Sequence, residues 1–210
     1  VLAKLRCDPA NASLTGFASN VTGAGPWTMT ASVSGDSLAH QVSVRNDSAT
    51  NHSAKTLTLT GTDANGRAQV ETMAAPNTSA TVESTKYFLT LTTVAISSTI
   101  GADTFDVGWV DEFTSPPILL NWRINAASSW FLDVTGTISL DVDFAIEDIG
   151  NTDEASVKWV VVSSSLDDET ADSTAFVSIP AGYTAARVRC NSYTDTAEVT
   201  VYAVQPEIPA

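Results

Sequence analysis

The sequence runs to 210 residues and carries 24 acidic against 10 basic side chains, a formal net charge of −14 at neutral pH. With 43% hydrophobic and 8% aromatic residues it can bury a core, which excludes general disorder, while its negative surface opposes binding to a phosphate backbone and no apolar run reaches membrane-spanning length. Two cysteines, Cys7 and Cys190, are too few for a disulfide scaffold or a zinc site and read as reduced or buried thiols.

Residues 1–12 show no clear period before the turn-like Asp8-Pro9-Ala10-Asn11, so an N-terminal arm or first edge strand is expected. Its Leu2 and Leu5 are candidates for partner contact. The same stretch has no apolar centre of signal-peptide length, and synthesis without export is expected. Alternating strands follow at Trp27–Val33 and His40–Arg45. Thr56–Thr62 and Arg67–Met73 alternate on either side of Asp63-Ala64-Asn65-Gly66, the pattern of a hairpin. Tyr87–Ile96 and Thr104–Val110 are further strands. Asp111–Pro117 breaks the pattern with acid, Ser and paired Pro, which places a linker at 113–118 between domains at 13–112 and 119–206.

Beyond the linker, Val134–Glu147 is the longest strict alternation, with Ile138, Leu140, Val142, Phe144 and Ile146 on one face and Ser139, Asp141, Asp143 and Glu147 on a face expected to be wet. Val157–Val162 contains Trp159, which reads as core, as does Trp27. Trp122 and Trp130 lie in a less regular segment and read as interfacial. Ala186–Cys190 and Ala197–Val204 read as a terminal hairpin. Apolar residues nowhere recur at helical spacing over a dozen residues. The fold class is all-β: two tandem antiparallel β-sandwich or jelly-roll-like domains behind a short arm.

The chemistry-bearing residues have plainer explanations. His40 and His52 are the only histidines, both in strand or loop contexts, and no Gly-x-Ser-x-Gly elbow presents a nucleophile. Asp141 and Asp143 share a strand face, as a glycosidase pair could, but alternation alone accounts for them. The acidic groups Asp141/Asp143/Glu147/Asp148, Asp153-Glu154 and Asp167-Asp168-Glu169 offer oxygen ligands for calcium without matching a twelve-residue loop, and read as solvated loops. Arg187 and Arg189 alternate on one strand face with no aromatic platform of their own. Of the sequons at Asn11, Asn20, Asn46, Asn51 and Asn77, several are expected by chance where Ser and Thr are this common, and no export signal supports them as glycan sites. No catalytic residue, cofactor or metal is expected.

The run Leu38–Glu112, with LTLTGTDANGRAQVET and STKYF between Leu57 and Phe88, resembles a segment shared by virion structural proteins of tailed bacteriophages. The region from Ile118 on, with NSYTDTAEVTV at Asn191–Val201, is similar to the second half of the same proteins. The resemblance implies a non-enzymatic particle protein, such as a head decoration (cement) protein that binds the major capsid protein as a homo-oligomer, with a trimer expected, and stabilises the expanded head. The alternative it implies is a tail, fibre or head–tail adaptor component. An exported carbohydrate-binding module is the further alternative, favoured if Trp122 and Trp130 are coplanar and exposed. Assembly of the virion in the host cytoplasm, with no nucleic-acid or membrane partner, is the corresponding expectation.

Overall fold

The structure is a computed structural model that describes residues 2–121, 127–152, 156–163, 166–168, 170 and 174–205. Sixteen strands and no α-helix are found among them, so the all-β expectation holds. The chain divides into two compact units, one formed by Ala10–Phe113 and the other by Val1–Pro9 together with Thr114–Ala210. The boundary lies at the start of the expected linker. The arrangement is not simply tandem, because the chain begins in the unit that its C-terminal half completes.

Of the two readings of the N-terminal stretch, the edge strand holds and the arm does not: β1 (Leu2–Cys7) stands at the end of its sheet and pairs antiparallel with β16 (Glu198–Val204), from Leu2 opposite Val204 to Cys7 opposite Val199. Its period is two residues, with Leu2, Lys4 and Arg6 exposed and Cys7 fully buried. Six residues are too few for that alternation to stand out in sequence.

In the unit Ala10–Phe113, β2 (Ser13–Val21) pairs with β9 (Phe105–Thr114), and β9, β4 (Ala39–Asn46) and β7 (Thr81–Phe88) lie side by side. A second sheet has the order β3 (Trp27–Thr28), β8 (Thr90–Ile96), β5 (Thr56–Thr62) and β6 (Ala68–Ala74). The two enclose one core built from Phe17, Val42, Val44, Leu57, Leu59, Phe88, Leu91, Val94, Phe105 and Val107. Trp27 joins it as expected, edge-on to Phe105 at 5.7 Å, with its Nε1–H donating to the Thr22 carbonyl at 2.8 Å.

The expected hairpin is β5–β6, in register from Thr56–Ala74 to Thr62–Ala68. Its turn differs in detail from a two-residue Asn-Gly turn. The Gly66 amide donates to the Asp63 carbonyl at 2.9 Å and the Asp63 amide to the Arg67 carbonyl at 2.9 Å, leaving a three-residue loop in which Gly66, at φ +76°, supplies the left-handed position. The Asp63 carboxylate accepts from the amides of Asn65 (2.8 Å) and Arg67 (2.9 Å), stapling the loop.

In the other unit, one sheet runs β1, β16, β11 (Ser128–Thr135), β14 (Thr174–Ile179). Facing it, β13 (Trp159–Val161), β12 (Ile138–Ala145) and β15 (Ala185–Tyr193) lie side by side, with β10 (Ile118–Leu119) also on β15. Trp130, Leu132, Val199 and Val201 from the first layer and Leu140, Val142, Phe144 and Val188 from the second are buried. Trp130 meets Phe144 edge-on at 5.0 Å.

Two sequence expectations fail at the same corner. The alternation from Val134 to Glu147 is not one strand: Gly136, at φ +77°, ends β11 and starts β12 in the opposite sheet. Likewise β15 and β16 are not a hairpin, since β15 pairs with β12 while β16 pairs with β11 and β1. The two crossings lie against each other, with the Thr194 amide donating to the Thr137 carbonyl at 2.9 Å. A Cβ on Gly136 would sit 2.8 Å from the Thr196 carbonyl oxygen, so the corner is closed to larger residues. The stretch expected as a linker is held within this unit: Ser115 is fully buried, its amide donating to the Val188 carbonyl and its hydroxyl accepting from the Val188 amide, both at 2.9 Å.

Candidate functional site

Among the described residues, a connected group of charged side chains lies on the face of β12 and β15 turned away from the apolar core. Antiparallel register puts Asp141 opposite Arg189 and Asp143 opposite Arg187. Asp143 Oδ2 accepts from Arg187 Nε and Arg189 Nε, each at 3.2 Å. Arg189 Nη2 also donates to Asp141 Oδ2, Asn191 Nδ2 donates to the same oxygen at 3.2 Å, and the Asp168 amide donates to Asp141 Oδ1 at 2.8 Å. Asp141 and Asp143 are only 2% and 3% exposed, so the face expected to be wet is covered. Arg187 does have an aromatic platform: its guanidinium lies 4.2 Å above the Trp159 ring. Trp159 is accordingly half-buried beneath a cation rather than part of the central core.

Ligand oxygens of Asp141, Asp167 and Asp168 fall within 4.8 Å of one another, the one such metal-competent group among the described residues. The grouping differs from the expected Asp141/Asp143/Glu147/Asp148, because Asp143 turns to the arginines and Asp148 caps a turn, accepting from Gly150 N at 2.9 Å and Asn151 Nδ2 at 2.6 Å. Loss of solvation, then repulsion by and hydrogen bonding to Asp141, raise the exposed Asp167 carboxyl, with Arg189 opposing. Asp141 already has a guanidinium partner, and the cluster carries no metal assignment. Glu169 and the pair Asp153-Glu154 lie outside the described residues.

Both histidines are enclosed beside a carboxylate. His40, 1% exposed, faces Asp36 Oδ2 through Nε2 at 2.7 Å and packs against Trp109 and Phe113. Asp36 also accepts from the Ala10 amide (2.7 Å), the Ser34 hydroxyl (2.6 Å) and the Leu38 amide (3.0 Å). Burial alone would raise the Asp36 carboxyl, but His40 and these donors together hold it down to about 2. A depressed carboxyl stabilises the fold above its unfolded value near 4 and loses that contribution as pH falls towards 2, here about 2 kcal/mol. In urea titrations, the destabilisation caused by Asp36→Asn is thus expected to be full from about pH 5 upward and to shrink steadily on acidification below that. A pH-independent difference would place the effect in packing instead.

His52, 4% exposed, meets Asp103 Oδ2 at 2.9 Å and stacks edge-on to Phe105. Hydrogen bonds from Thr50 and then His52 lower the Asp103 carboxyl. Beside it, Asp47 is raised, chiefly by a hydrogen bond to Asp106, then by burial and mutual repulsion, with Arg45 at 2.8 Å opposing. Asn46 is fully buried and spends its Nδ2 on the carbonyls of Thr50 (2.8 Å) and Asn77 (2.9 Å), so that sequon is a loop brace and not a glycan acceptor. These groups organise loops, and their enclosure keeps both imidazoles from solvent.

The expected contact residues fare differently. Leu2 is 65% exposed on the outer face of its sheet, whereas Leu5 points inward and is half-buried. Trp130 is fully buried, with its Nε1–H donating to Ser128 Oγ at 2.7 Å; it fills the core because alternation of β11 turns it inward beside Leu132 and Val134. That corrects the interfacial reading and removes one half of the proposed sugar platform. Trp122 lies outside the described residues. Sequence reasoning missed the cleft of about 390 Å³ bordered by Leu119, Ile146, Ile149 and Asp148, where Leu119 and Ile146 are 73% and 64% exposed.

Cys7 and Cys190 are buried as thiols, as expected. What fold and sites together define is an all-β protein whose buried polar side chains brace loops and strands. No protein-family model and no curated protein matches the chain.

Proposed function

We propose that the chain is a non-enzymatic structural protein of a tailed-phage particle, acting as a decoration protein on the outside of the capsid. The observation that carries this reading is the use made of the residues behind the resemblance. Gly61 lies where a Cβ would come within 1.8 Å of the Thr90 carbonyl oxygen, and Asp63 and Gly66 form the hairpin loop. Glu71 and Lys86 join β6 to β7, which belong to different sheets. Each is spent on holding the unit together, and none of them borders the cleft. A protein selected for such braces acts by being a rigid, soluble body, and its acidic surface resists indiscriminate association. Attachment to an icosahedral shell needs only weak contacts repeated many times. β1 is committed to its own sheet, so this attachment does not depend on ordering an arm.

The test is quantitative mass spectrometry of purified particles from the source phage, scaled to the major capsid protein. About one copy per capsid subunit is the expected result. A few copies per particle would move the protein to the tail, fibre or adaptor. Absence from the particle would overturn the reading.

A further inference from the structure

The sheet β1–β16–β11 presents an outer face unlike an ordinary wet face. Alternation turns Leu2, Lys4 and Arg6 of β1, Glu198, Thr200, Tyr202 and Val204 of β16, and Ser129, Phe131 and Asp133 of β11 away from the core. Register aligns them in rows across the strands: Leu2, Val204 and Ser129; Lys4, Tyr202 and Phe131; Arg6, Thr200 and Asp133. Leu2 and Val204 are 65% and 48% exposed. Phe131 and Tyr202 stand with ring centres 5.8 Å apart, and Lys4 Nζ lies 5.4 Å over the Tyr202 ring. An aliphatic–aromatic stripe on a sheet's outer face marks a contact surface.

Its charges say what fits there. Both cations sit on one side, on β1, and the carboxylate of Asp133 sits on the other, on β11, with β16 between. We infer that this face binds a second copy of the same chain, sheet on sheet, about a two-fold axis running along β16. Such an axis exchanges the two sides of the face, so β1 of one copy lies over β11 of the other. Arg6, held by Glu198 of its own chain at 2.6 Å, then faces Asp133 of the second copy, and Lys4 faces the ring of Phe131. Glu198, Thr200, Tyr202 and Val204 meet their own counterparts on the axis, where each Glu198 is neutralised by Arg6 of its own chain. The surface is complementary to itself in both charge and apolarity, which the acidic remainder of a chain of net charge −14 is not. The pairing gives a dimer, not the trimer expected from the resemblance, and it stands independently of the capsid reading.

The test is sedimentation equilibrium of the full chain over a concentration series at physiological ionic strength, where the Debye length of about 8 Å limits long-range repulsion. The expected result is a reversible dimer of twice 22.0 kDa. The double substitution Leu2→Glu/Val204→Glu should return it to monomer with an unchanged far-UV spectrum. Asp133→Lys, at an exposed position, should weaken dimerisation on the order of tenfold. A wild-type chain that stays monomeric throughout would overturn the inference, as would a trimer, or a dimer indifferent to Leu2→Glu/Val204→Glu. The measurement uses purified protein alone, so its failure is separate from absence of the protein from the particle.

Discussion

Replacing Asp143 with alanine is expected to destabilise the unit containing β12 and β15 by about 3–5 kcal/mol, because it removes one partner of a buried charge group and leaves the others uncompensated. A single oxygen, Asp143 Oδ2, accepts from the Nε of both Arg187 and Arg189. The carboxylate is 4% exposed at its side chain and Arg187 12%, so neither is well solvated; Arg189, at 31%, recovers part of its hydration and pulls the loss towards the lower figure. Asp143→Asn keeps the shape and an acceptor but not the charge, and should fall between alanine and wild type. Replacing Asp143, Arg187 and Arg189 together by apolar residues of similar volume still orphans Asp141, which Arg189 also neutralises. Only removal of all four charges should approach neutrality. The measurement is urea unfolding followed by tryptophan fluorescence, in which Trp130 and Trp159 report this unit and Trp27 and Trp109 the other. A loss below about 1 kcal/mol for Asp143→Ala would mean that the face is wetter than its burial implies.

That network also marks the limit of what alternation discloses. The period-two pattern of Ile138–Phe144 separates the residues that face the core from Asp141 and Asp143, and that division is correct. It is silent on what covers the second face, because the covering groups come from Arg187, Arg189, Asn191 and the Asp168 backbone, 27 to 50 positions away in sequence. The hairpin of β5 and β6 was legible for the opposite reason: its register depends on a loop of three residues whose chemistry is entirely local. Strand partners across long separations were not legible. Arg6 and Glu198 are 192 positions apart, and β1 therefore reads as an arm or an edge strand with no partner assigned to it. Gly136 was visible within its alternating run, but a glycine there is equally compatible with a bulge, and only the sheet assignments of β11 and β12 reveal a corner. Trp130 was misplaced because its segment begins irregularly; two residues of β11 precede it, too few to establish which way the ring points.

Glu71→Ala is expected to cost about 1.5–3 kcal/mol in the unit Ala10–Phe113, the range for hydrogen bonds made to a charged group. β6 and β7 belong to different sheets, so no backbone ladder joins them. Side chains do so instead. Glu71, 8% exposed, accepts through Oε1 from the Thr85 amide and hydroxyl, both at 2.8 Å, and through Oε2 from the Lys86 amide at 2.9 Å. Gln69 Nε2 donates to the Tyr87 carbonyl at 2.8 Å, and Lys86 Nζ returns a bond to the Val70 carbonyl at 2.9 Å. The carboxylate therefore satisfies two consecutive amides of β7 where its register with β4 is interrupted, and covers β7 at the end of its sheet. Glu71→Gln retains one acceptor oxygen but turns an NH₂ towards an N–H donor, so it should lose roughly half as much as alanine. Hydrogen exchange separates a clasp from simple packing: the Thr85 and Lys86 amides should exchange faster in Glu71→Ala by more than global destabilisation predicts, while core amides of β5 and β8 follow the global change. Equal acceleration at all of these sites would mean that Glu71 contributes only to overall stability. A specific loss at Thr85 and Lys86 would mean that the Glu71 carboxylate is the principal tie between the two sheets at this edge, with Gln69 and Lys86 beside it, and that no neutral residue can replace it at full strength.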